Sequence, residues 1–380
     1  MRYYIIAGEA SGDLHASNLM KEINKRDENA DFRCWGGDLM EKQGGVLVKH
    51  YRELAFMGFL EVLLNLRTIF RNIKFCKQDI LSYKADVLIL VDYPGFNLRI
   101  ADFAHKNGIK VFYYISPQIW AWKKSRVHKI KKTVDKMFVI LPFEEDFYKR
   151  YDYKVDFVGH PLLDSLEEKK TNANFKSFIE KNNLKDKPII ALLPGSRKQE
   201  IKVMLKIMLK VIKDFKEYQF VIGAAPSISD DFYQEIITDY SVNIVYDQLH
   251  DLLINSSAAL VTSGTATLET ALMEIPEVVC YKGNYISYLI ARKIVDIKYI
   301  SLVNLIMDKE VVKELIQSEL NTSNLKNELN LLLNDKENRN RMLEDFKELK
   351  QKLGGSGASA QTADLMITYL ASNKSNIAQS

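Results

Sequence analysis

The chain has 380 residues, of which 47% are hydrophobic and 27% are charged, and its formal net charge is +4. These values are typical of a soluble globular protein with room for two domains, and the mild basicity gives no argument for nucleic-acid binding. Three widely spaced cysteines without a Cys-x-x-Cys pair fit a reducing compartment. No apolar run has the length of a signal peptide core or of a membrane span, so we expect a cytoplasmic protein.

Apolar runs alternate with helical patterns through the first half of the chain. The helix after the first strand is predicted to end near Arg26. The predicted strands are Tyr3–Ala7, Phe32–Trp35, Asp86–Val91, Lys110–Ile115, Lys136–Ile140 and Tyr153–Val158. This alternation is typical of a parallel, doubly wound α/β sheet.

The same pattern restarts after a polar stretch, Glu167–Asn174, that we interpret as a link between two halves. A long helical region is predicted over Glu310–Leu353, and a last helix over Ala360–Ala371. The predicted strands are Ile189–Leu193, Gln219–Ile222, Val242–Val245, Ala258–Val261 and Val278–Tyr281. We therefore predict two Rossmann-like domains facing a cleft, with domain ranges of 1–166 and 167–353 and a C-terminal segment of 354–380.

Asp92 is the most informative residue of the first half. It directly follows a buried-type strand, where partial desolvation would make a carboxylate more basic and suited to act as a general base. A carboxylate that merely caps the turn at Tyr93-Pro94-Gly95 explains the same pattern. Both interpretations stay open at this point.

A strand, a tight loop and a helix follow one another around Pro194–Arg197 in the second half. The loop, Pro194-Gly195-Ser196-Arg197, offers backbone N–H groups and a guanidinium to an anion, although an ordinary turn with a surface arginine fits equally well.

The loop that follows the strand Ala258–Val261 has the same character. Ser263, Gly264, Thr265 and Ala266 are small residues at a helix start, and Glu269 follows within two turns, where its carboxylate suits ribose hydroxyls. A simple Ser/Thr helix cap is the alternative. Two anion-binding loops on one sheet favour a nucleoside diphosphate ligand.

The sequence lacks the motifs of several common nucleotide-binding and metal-binding sites. There is no P-loop, no Gly-x-Gly-x-x-Gly after the first strand, no Asp-x-Asp and no pair of histidines at metal-ligand spacing. We therefore predict neither a metal nor a cofactor, while a metal site assembled from distant residues stays open.

Two further stretches suit a membrane surface. Leu54–Leu66 is apolar but too short to span a bilayer, and cations follow it at Arg67 and Arg71. A basic run follows Trp120-Ala121-Trp122. It comprises Lys123, Lys124, Arg126, His128, Lys129, Lys131 and Lys132. For Leu54–Leu66, the alternative is a helix packed in the protein core. For the basic run, the alternative is a solvated helix face, and nucleic-acid binding is the least favoured of the functions considered.

Taken together, these motifs resemble those of the lipid-A-disaccharide synthase family, bacterial glycosyltransferases of the GT-B architecture. The ordered set is GEASGD (8–13), ELAFMGFLEVL (53–63), VDYPGFN (91–97), SPQIWAW (116–122), GHP (159–161), LPGSR (193–197), SGTATLE (263–269), YISLVNLI (299–306) and GAS (357–359). The chain departs from many relatives at Gly37-Asp38, where they have Gly-Pro, and at Val303, which is often proline.

The resemblance implies an inverting transfer from UDP-2,3-diacylglucosamine to 2,3-diacylglucosamine 1-phosphate, which yields a β-1,6-linked disaccharide 1-phosphate and UDP. It implies that Asp92 is the base and that Arg197 stabilises the leaving diphosphate. Donor-binding residues would be Ser196, Arg197, Ser263, Gly264, Thr265, Ala266, Glu269 and Asn304. The acceptor side would comprise Glu9, Ser11, Gly12 and Asp13.

The resemblance also implies location and assembly. Because both substrates carry acyl chains, we expect the protein on the cytoplasmic face of the inner membrane. The expected membrane contacts are Phe56, Met57, Phe59, Leu60 and Leu63, together with part of the basic run. A C-terminal helix would pack on an N-terminal domain, with or without exchange across a homodimer. A UDP-sugar epimerase and a non-catalytic nucleotide-sugar-binding protein are the alternative functions.

Overall fold

The computed structural model describes residues 1–54, 66–168, 174–283 and 297–377. Within it the chain forms two compact units. Unit 1 is Met1–Asp164 together with Leu353–Ser380, and unit 2 is Ser165–Lys352.

Unit 1 contains a seven-stranded parallel sheet in the order β3-β2-β1-β4-β5-β6-β7. Its strands are β1 (Arg2–Ala7), β2 (Asp31–Gly36), β3 (Val46–His50), β4 (Val87–Val91), β5 (Lys110–Tyr114), β6 (Lys136–Val139) and β7 (Asp156–Phe157). Every residue of the central strand β4 is buried, as expected for a parallel strand covered on both faces.

The helices of the first half connect these strands in chain order. They are α1 (Ala10–Asn24), α2 (Asp38–Lys42), α3 (Leu66–Tyr83), α4 (Pro94–Lys106), α5 (Ile119–Trp122), α6 (Arg126–Thr133), α7 (Phe143–Lys149) and α8 (Leu162–Glu168). The unit boundary lies within α8.

Unit 2 contains a six-stranded parallel sheet in the order β10-β9-β8-β11-β12-β13. Its strands are β8 (Ile189–Leu193), β9 (Gln219–Gly223), β10 (Asn243–Val245), β11 (Ser256–Thr262), β12 (Glu277–Tyr281) and β13 (Lys313–Ile316). The described helices are α9 (Phe175–Lys181), α10 (Lys198–Met208), α11 (Asp230–Ile237), α12 (Leu249–Ile254), α13 (Thr265–Leu272), α14 (Leu302–Met307), α15 (Thr322–Asn334) and α16 (Lys336–Lys352). The prediction of two parallel Rossmann-like sheets is confirmed.

Two edge strands differ from the sequence prediction. The helical prediction over Glu310–Leu353 is wrong in its first part, where Lys313–Ile316 pairs with β12 as an edge strand. The edge strand Val46–His50 was not predicted at all. Both segments mix charged and apolar residues, because an edge strand is only partly buried, so neither shows the continuous apolar run of a central strand.

The last helix, α17 (Ala358–Ile377), returns to unit 1 of the same chain. The Asp164 carboxylate accepts hydrogen bonds from the backbone N–H groups of Gly357, Ala358 and Ser359 at the start of this helix. Farther along, Arg26, just after α1, binds Asp364 with both carboxylate oxygens engaged, at 2.5 and 2.9 Å. The helix is therefore fixed at its first turn by N-terminal capping and along its side by a bidentate ion pair.

Glu277 of β12 is a buried carboxyl group without a hydrogen-bond partner among the described residues. Burial raises its pKa well above the usual range. At pH values below the ordinary glutamate pKa, the group is protonated in both the folded and the unfolded chain, so its ionisation does not lower the free energy of unfolding. Above it, the unfolded chain ionises while the folded chain keeps its proton, so the free energy of unfolding falls as the pH rises.

We therefore expect Glu277→Gln, which stays neutral, to raise the melting temperature by about 5 °C at pH 8 and by far less at pH 4.5, since about 1 kcal/mol shifts Tm by 2–4 °C in a domain of this size. Thermal unfolding at the two pH values measures the difference. Glu274→Gln is the matched control, because Glu274 is exposed on the preceding turn. An equal Tm for Glu277→Gln and the natural chain at pH 8 would contradict the prediction.

Candidate functional site

Each sheet reverses its strand order at one point, between β1 and β4 in unit 1 and between β8 and β11 in unit 2. At such a point the loops at the carboxyl ends of the strands leave toward opposite faces, and open α/β sheets bind ligands in the crevice between them. All four loops that the sequence analysis selected follow these four strands. Asp92 follows β4 and the GEASGD loop follows β1, whereas the two predicted anion-binding loops follow β8 and β11.

Asp92 lies in a strained turn. Asp92 and Tyr93 both adopt left-handed backbone conformations, with φ of 44° and 48°, and so does Ile115 at the end of the neighbouring strand β5, with φ of 63°. Such conformations are rare outside glycine, especially for a β-branched residue, and they persist only where the surrounding structure holds them.

Buried side chains hold this turn. Asn97 is fully buried and donates to the backbone carbonyl of Asp92 at 2.7 Å and to that of Val91 at 3.3 Å. The buried Tyr113 hydroxyl donates to the same Asp92 carbonyl. Because the main chain of Asp92 is fixed from two sides, its carboxylate is presented in a defined position at the sheet edge.

The environment of Asp92 makes its carboxylate basic. Burial and the negative charge of Glu9 raise the pKa of Asp92 to about 6, against a smaller opposing effect of the Tyr93 backbone N–H. A carboxylate with a pKa near the working pH is suited to accept a proton in the reaction. Glu9 is exposed and lies on the loop after β1, so the two loops at this switch point are electrostatically coupled.

The GEASGD segment, which runs from the end of β1 into the first turn of α1, has exposed and buried parts. Glu9 and Ser11 are exposed, while Gly12 is buried and packs near Ala7. Gly8 has no room for a side chain, because an added Cβ would lie 2.3 Å from the Tyr93 ring. This packing joins the loop after β1 directly to the Asp92 turn.

Asp13 requires a correction. Its carboxylate is 3% exposed and accepts hydrogen bonds from the backbone N–H groups of Gly37, Leu39 and Met40. These bonds cap the start of α2, so Asp13 holds the loop after β2 and is not presented to a ligand.

In unit 2, a cavity of about 780 Å³ lies over the switch point. Its lining comes from the ends of four neighbouring strands, β8, β9, β10 and β11. The lining residues include Gly195, Ser196, Glu200, Gly223, Ala224, Ala225, Pro226, Gln248, His250, Thr262, Ser263, Gly264, Thr265, Ala266 and Glu269. This volume falls in the usual range for a small-molecule or cofactor site.

The loop after β8 requires glycine at position 195, where φ is +110° and an added Cβ would lie 2.2 Å from a Glu200 side-chain oxygen. Glu200 in turn accepts a hydrogen bond from the Ser196 backbone N–H at 3.1 Å. The Arg197 side chain is exposed, and its backbone directly precedes α10. Arg197 is thus placed at the helix start, although it is not among the residues that line the cavity.

The loop after β11 brings small residues and a carboxylate into the cavity. Glu269 of α13 lies 2.6 Å from His250 Nε2, measured to Oε1, outside the angular range of a hydrogen bond. Thr262 is buried at the end of β11, and its hydroxyl has no partner among the described residues. A buried hydroxyl without a partner that lines a cavity is a candidate ligand contact.

Asn304 also requires a correction. It is fully buried, its Nδ2 donates to Val312 O and Glu314 Oε1 at 2.8 and 2.9 Å, and its Oδ1 accepts from the N–H groups of Val311 and Val312. All four hydrogen-bonding positions of the amide are therefore used within the protein. Asn304 supports the segment beside the cavity and offers no free group to a nucleotide.

The predicted membrane-contact residues, Phe56, Met57, Phe59, Leu60 and Leu63, lie outside the described residues. Across the described parts of the chain, no helix combines the length and apolarity needed to cross a bilayer. The same parts contain no group of three or more His, Cys, Asp or Glu side chains arranged to hold a metal ion.

Sequence reasoning missed several residues of these sites. Asn97 and Tyr113, which hold the Asp92 turn, and His250, Glu200 and Thr262, which line the cavity, were not selected. The strand-end rule that selected the loops after β8 and β11 also points to the loops after β9 and β10, and applying it to those strands would have found His250. The roles of Asn97 and Tyr113 depend on packing between strands, for which the sequence carries no local signal.

Comparison with known proteins agrees with the resemblance. The family model described as LpxB, lipid-A-disaccharide synthetase, matches residues 3–364. The lipid-A-disaccharide synthase of Syntrophus aciditrophicus (strain SB) is 38% identical over 373 residues, covering 96% of this chain and 97% of the relative. That of Trichlorobacter lovleyi (strain ATCC BAA-1151 / DSM 17278 / SZ) is 36% identical over 375 residues, covering 97% of each.

Among solved structures, the S. aureus MnaA–UDP co-structure is similar with a TM-score of 0.70 at 13% identity, covering 97% of each chain. At this identity the likeness concerns the fold alone, which is of the GT-B type. The family match over nearly the whole chain decides the identity of the protein. The chain belongs to the lipid-A-disaccharide synthetase family and is a glycosyltransferase of lipid A synthesis.

Proposed function

We propose that the protein transfers the 2,3-diacylglucosamine of UDP-2,3-diacylglucosamine to the 6-hydroxyl of 2,3-diacylglucosamine 1-phosphate with inversion. The products are the β-1,6-linked disaccharide 1-phosphate and UDP. The observation that carries the proposal is the strained, half-buried Asp92 turn, whose carboxylate has its pKa raised to about 6 at the switch point of unit 1.

In this proposal Asp92 takes the proton of the acceptor 6-hydroxyl as its oxygen attacks the anomeric carbon of the donor. The bond from that carbon to the diphosphate breaks at the same time, and UDP leaves with the electron pair. The base lowers the barrier most if its carboxylate is ionised and held in place before the acceptor binds. The hydrogen bonds from Asn97 and Tyr113 fix the main chain of Asp92 and so hold its carboxylate in place.

Unit 2 takes the donor. The backbone N–H groups at Gly264–Ala266, the start of α10 and the Arg197 guanidinium would stabilise the charge that develops on the leaving diphosphate. Glu269 would accept hydrogen bonds from the ribose hydroxyls, with His250 Nε2 lying 2.6 Å from its Oε1. The approximately 780 Å³ cavity has the size for these groups.

We place the protein on the cytoplasmic face of the inner membrane, where acylated substrates are accessible. Helix α3 supports this location, because Leu66, Phe70 and Phe75 are exposed on it beside the exposed cations Arg67 and Arg71. Exposed aromatic side chains with adjacent cations suit the boundary between acyl chains and anionic headgroups. A homodimer on this surface is compatible with the proposal and is not required by it.

A disaccharide-forming assay with both acylated substrates tests the proposal. We expect a disaccharide 1-phosphate by mass spectrometry, one UDP per disaccharide, and co-flotation of the protein with anionic vesicles. Omission of the acceptor should stop UDP release. Formation of the disaccharide without flotation would reject the membrane location while leaving the reaction in place.

The two alternatives give different products in the same assay. A UDP-sugar epimerase would convert a soluble UDP-sugar into its epimer without any acceptor, and a non-catalytic binding protein would bind UDP and form nothing. Either result would reject the transferase proposal.

A further inference from the structure

The basic run that follows Trp122 is not uniformly exposed. Lys123 and Arg126 are half-buried, whereas Lys124, His128 and Lys129 are exposed. The Lys123 ammonium lies 4.1 Å from the centre of the Trp122 ring, and this ring is itself 50% exposed. Lys123 and Arg126 are therefore less exposed than the other cations of the run, and Lys123 lies over an aromatic ring.

Within the described ranges, these two cations have no neutralising partner. Among the described residues, no carboxylate lies within ion-pair distance of Lys123 or Arg126. Elsewhere in unit 1, Lys106 and Lys110 pair with Asp102 and Asp135 at 2.9 and 3.1 Å. Burial and the charge of Arg126 lower the pKa of Lys123. Two like charges that are partly withdrawn from water and have no counter-ion among the described residues favour the binding of an anion.

The fold puts this pair at the same sheet edge as the base. Helix α5 begins five residues after the end of β5, and α6 begins at Arg126. Strand β5 pairs with β4, at whose end Asp92 lies, and Tyr113 of β5 donates to the Asp92 carbonyl. Arg126 lies close enough to Tyr113 for its charge to affect the pKa of that hydroxyl.

We propose that Lys123 and Arg126 form the subsite for the phosphate monoester of the acceptor, beside the exposed face of Trp122. This inference rests on the proposed function and specifies how the acceptor is selected. A guanidinium offers two parallel hydrogen bonds to phosphate oxygens, and an ammonium adds a point charge. A dianionic sugar phosphate therefore binds more tightly at this subsite than the sugar without the phosphate. The subsite makes the enzyme select acceptors that already carry a phosphate, so a reaction that phosphorylates the sugar or releases a sugar phosphate must precede it.

Binding of soluble glucosamine 1-phosphate and of glucosamine to the full chain tests the subsite without requiring turnover. We expect the natural chain to bind the phosphorylated sugar at least tenfold more tightly, measured by calorimetry and by quenching of tryptophan fluorescence. Lys123→Ala/Arg126→Ala should remove this preference. Lys149→Ala/Lys154→Ala is the control, since it deletes the same charge from exposed positions of unit 1 and should keep the preference.

Turnover provides the second readout. For the double variant, the KM for the acylated acceptor 1-phosphate should rise at least tenfold, while the KM for the donor stays the same. Retained phosphate preference in a folded Lys123→Ala/Arg126→Ala variant would overturn the subsite. So would an unchanged acceptor KM combined with weaker flotation on anionic vesicles, which would assign these cations to lipid headgroups. If the natural chain forms no disaccharide but binds glucosamine 1-phosphate through this pair, the proposed function fails and the subsite stands.

Discussion

Asp92→Asn is expected to lower the turnover of the disaccharide-forming reaction by about 1000-fold, within the range of general-base contributions. The amide has nearly the same shape as the carboxylate, so the strained turn and its bonds from Asn97 and Tyr113 should persist. UDP binding should be unchanged, because the donor cavity is built from residues of unit 2. Release of UDP in the presence of acceptor measures the rate, and calorimetry measures UDP affinity.

The pH dependence of kcat/KM distinguishes a general-base role of Asp92 from a purely structural role. A base works only when ionised, so kcat/KM of the natural chain should fall as the pH drops below about 6, the pKa that burial and the Glu9 charge give Asp92. Glu9→Gln removes the neighbouring negative charge and should move this acid limb to lower pH. A purely structural effect of Glu9 would lower the rate without moving the limb.

Asp102→Asn is the matched control for the Asp92 variant. Asp102 pairs with Lys106 in α4, away from the strand ends, so its amide variant should keep full activity. Normal turnover by a folded Asp92→Asn variant would remove Asp92 as the base. Loss of UDP affinity together with activity would instead indicate misfolding that extends into unit 2.

Most of the fold was predictable because its signals are local. The fully buried strands β4 and β8 are continuous apolar runs, and each is followed by a turn and an amphipathic helix. The edge strands β3 and β13 lack such runs, since Val46 is 55% exposed and the four residues of β13 include a lysine and a glutamate. An edge strand forms because its neighbour offers hydrogen bonds, and that information lies elsewhere in the chain.

The candidate sites divide in the same way. Asp92 could be selected from sequence because a carboxylate at the end of an apolar strand is a local feature. Asp13 could not be assigned correctly, because its bonding partners at Gly37 and Met40 lie more than twenty residues away. Such distant partners decide whether a polar residue of a sequence motif contacts a ligand or stabilises the fold. The motif has the same sequence in both cases.

Asn304 offers the sharpest test of that distinction. Asn304→Ala is expected to destabilise the protein by about 4 kcal/mol, because it leaves the buried N–H groups of Val311 and Val312 and the Val312 carbonyl without partners, at about 1–3 kcal/mol each. Glu314 would also lose one of the donors that keep its buried carboxylate satisfied. The melting temperature should fall by roughly 10 °C.

UDP affinity should change much less at temperatures where the variant is folded. The link to the cavity is indirect: Glu314 also accepts from the N–H of Ile300, whose carbonyl accepts from the Ser263 hydroxyl at 3.2 Å. Asn327→Ala is the matched control, because Asn327 is exposed in the same unit and should leave the melting temperature nearly unchanged. A variant at Asn304 with normal thermal stability but at least a hundredfold weaker UDP binding would show that the amide contacts the nucleotide directly. The four bonds that occupy its amide argue for the opposite result, in which stability falls and affinity is kept.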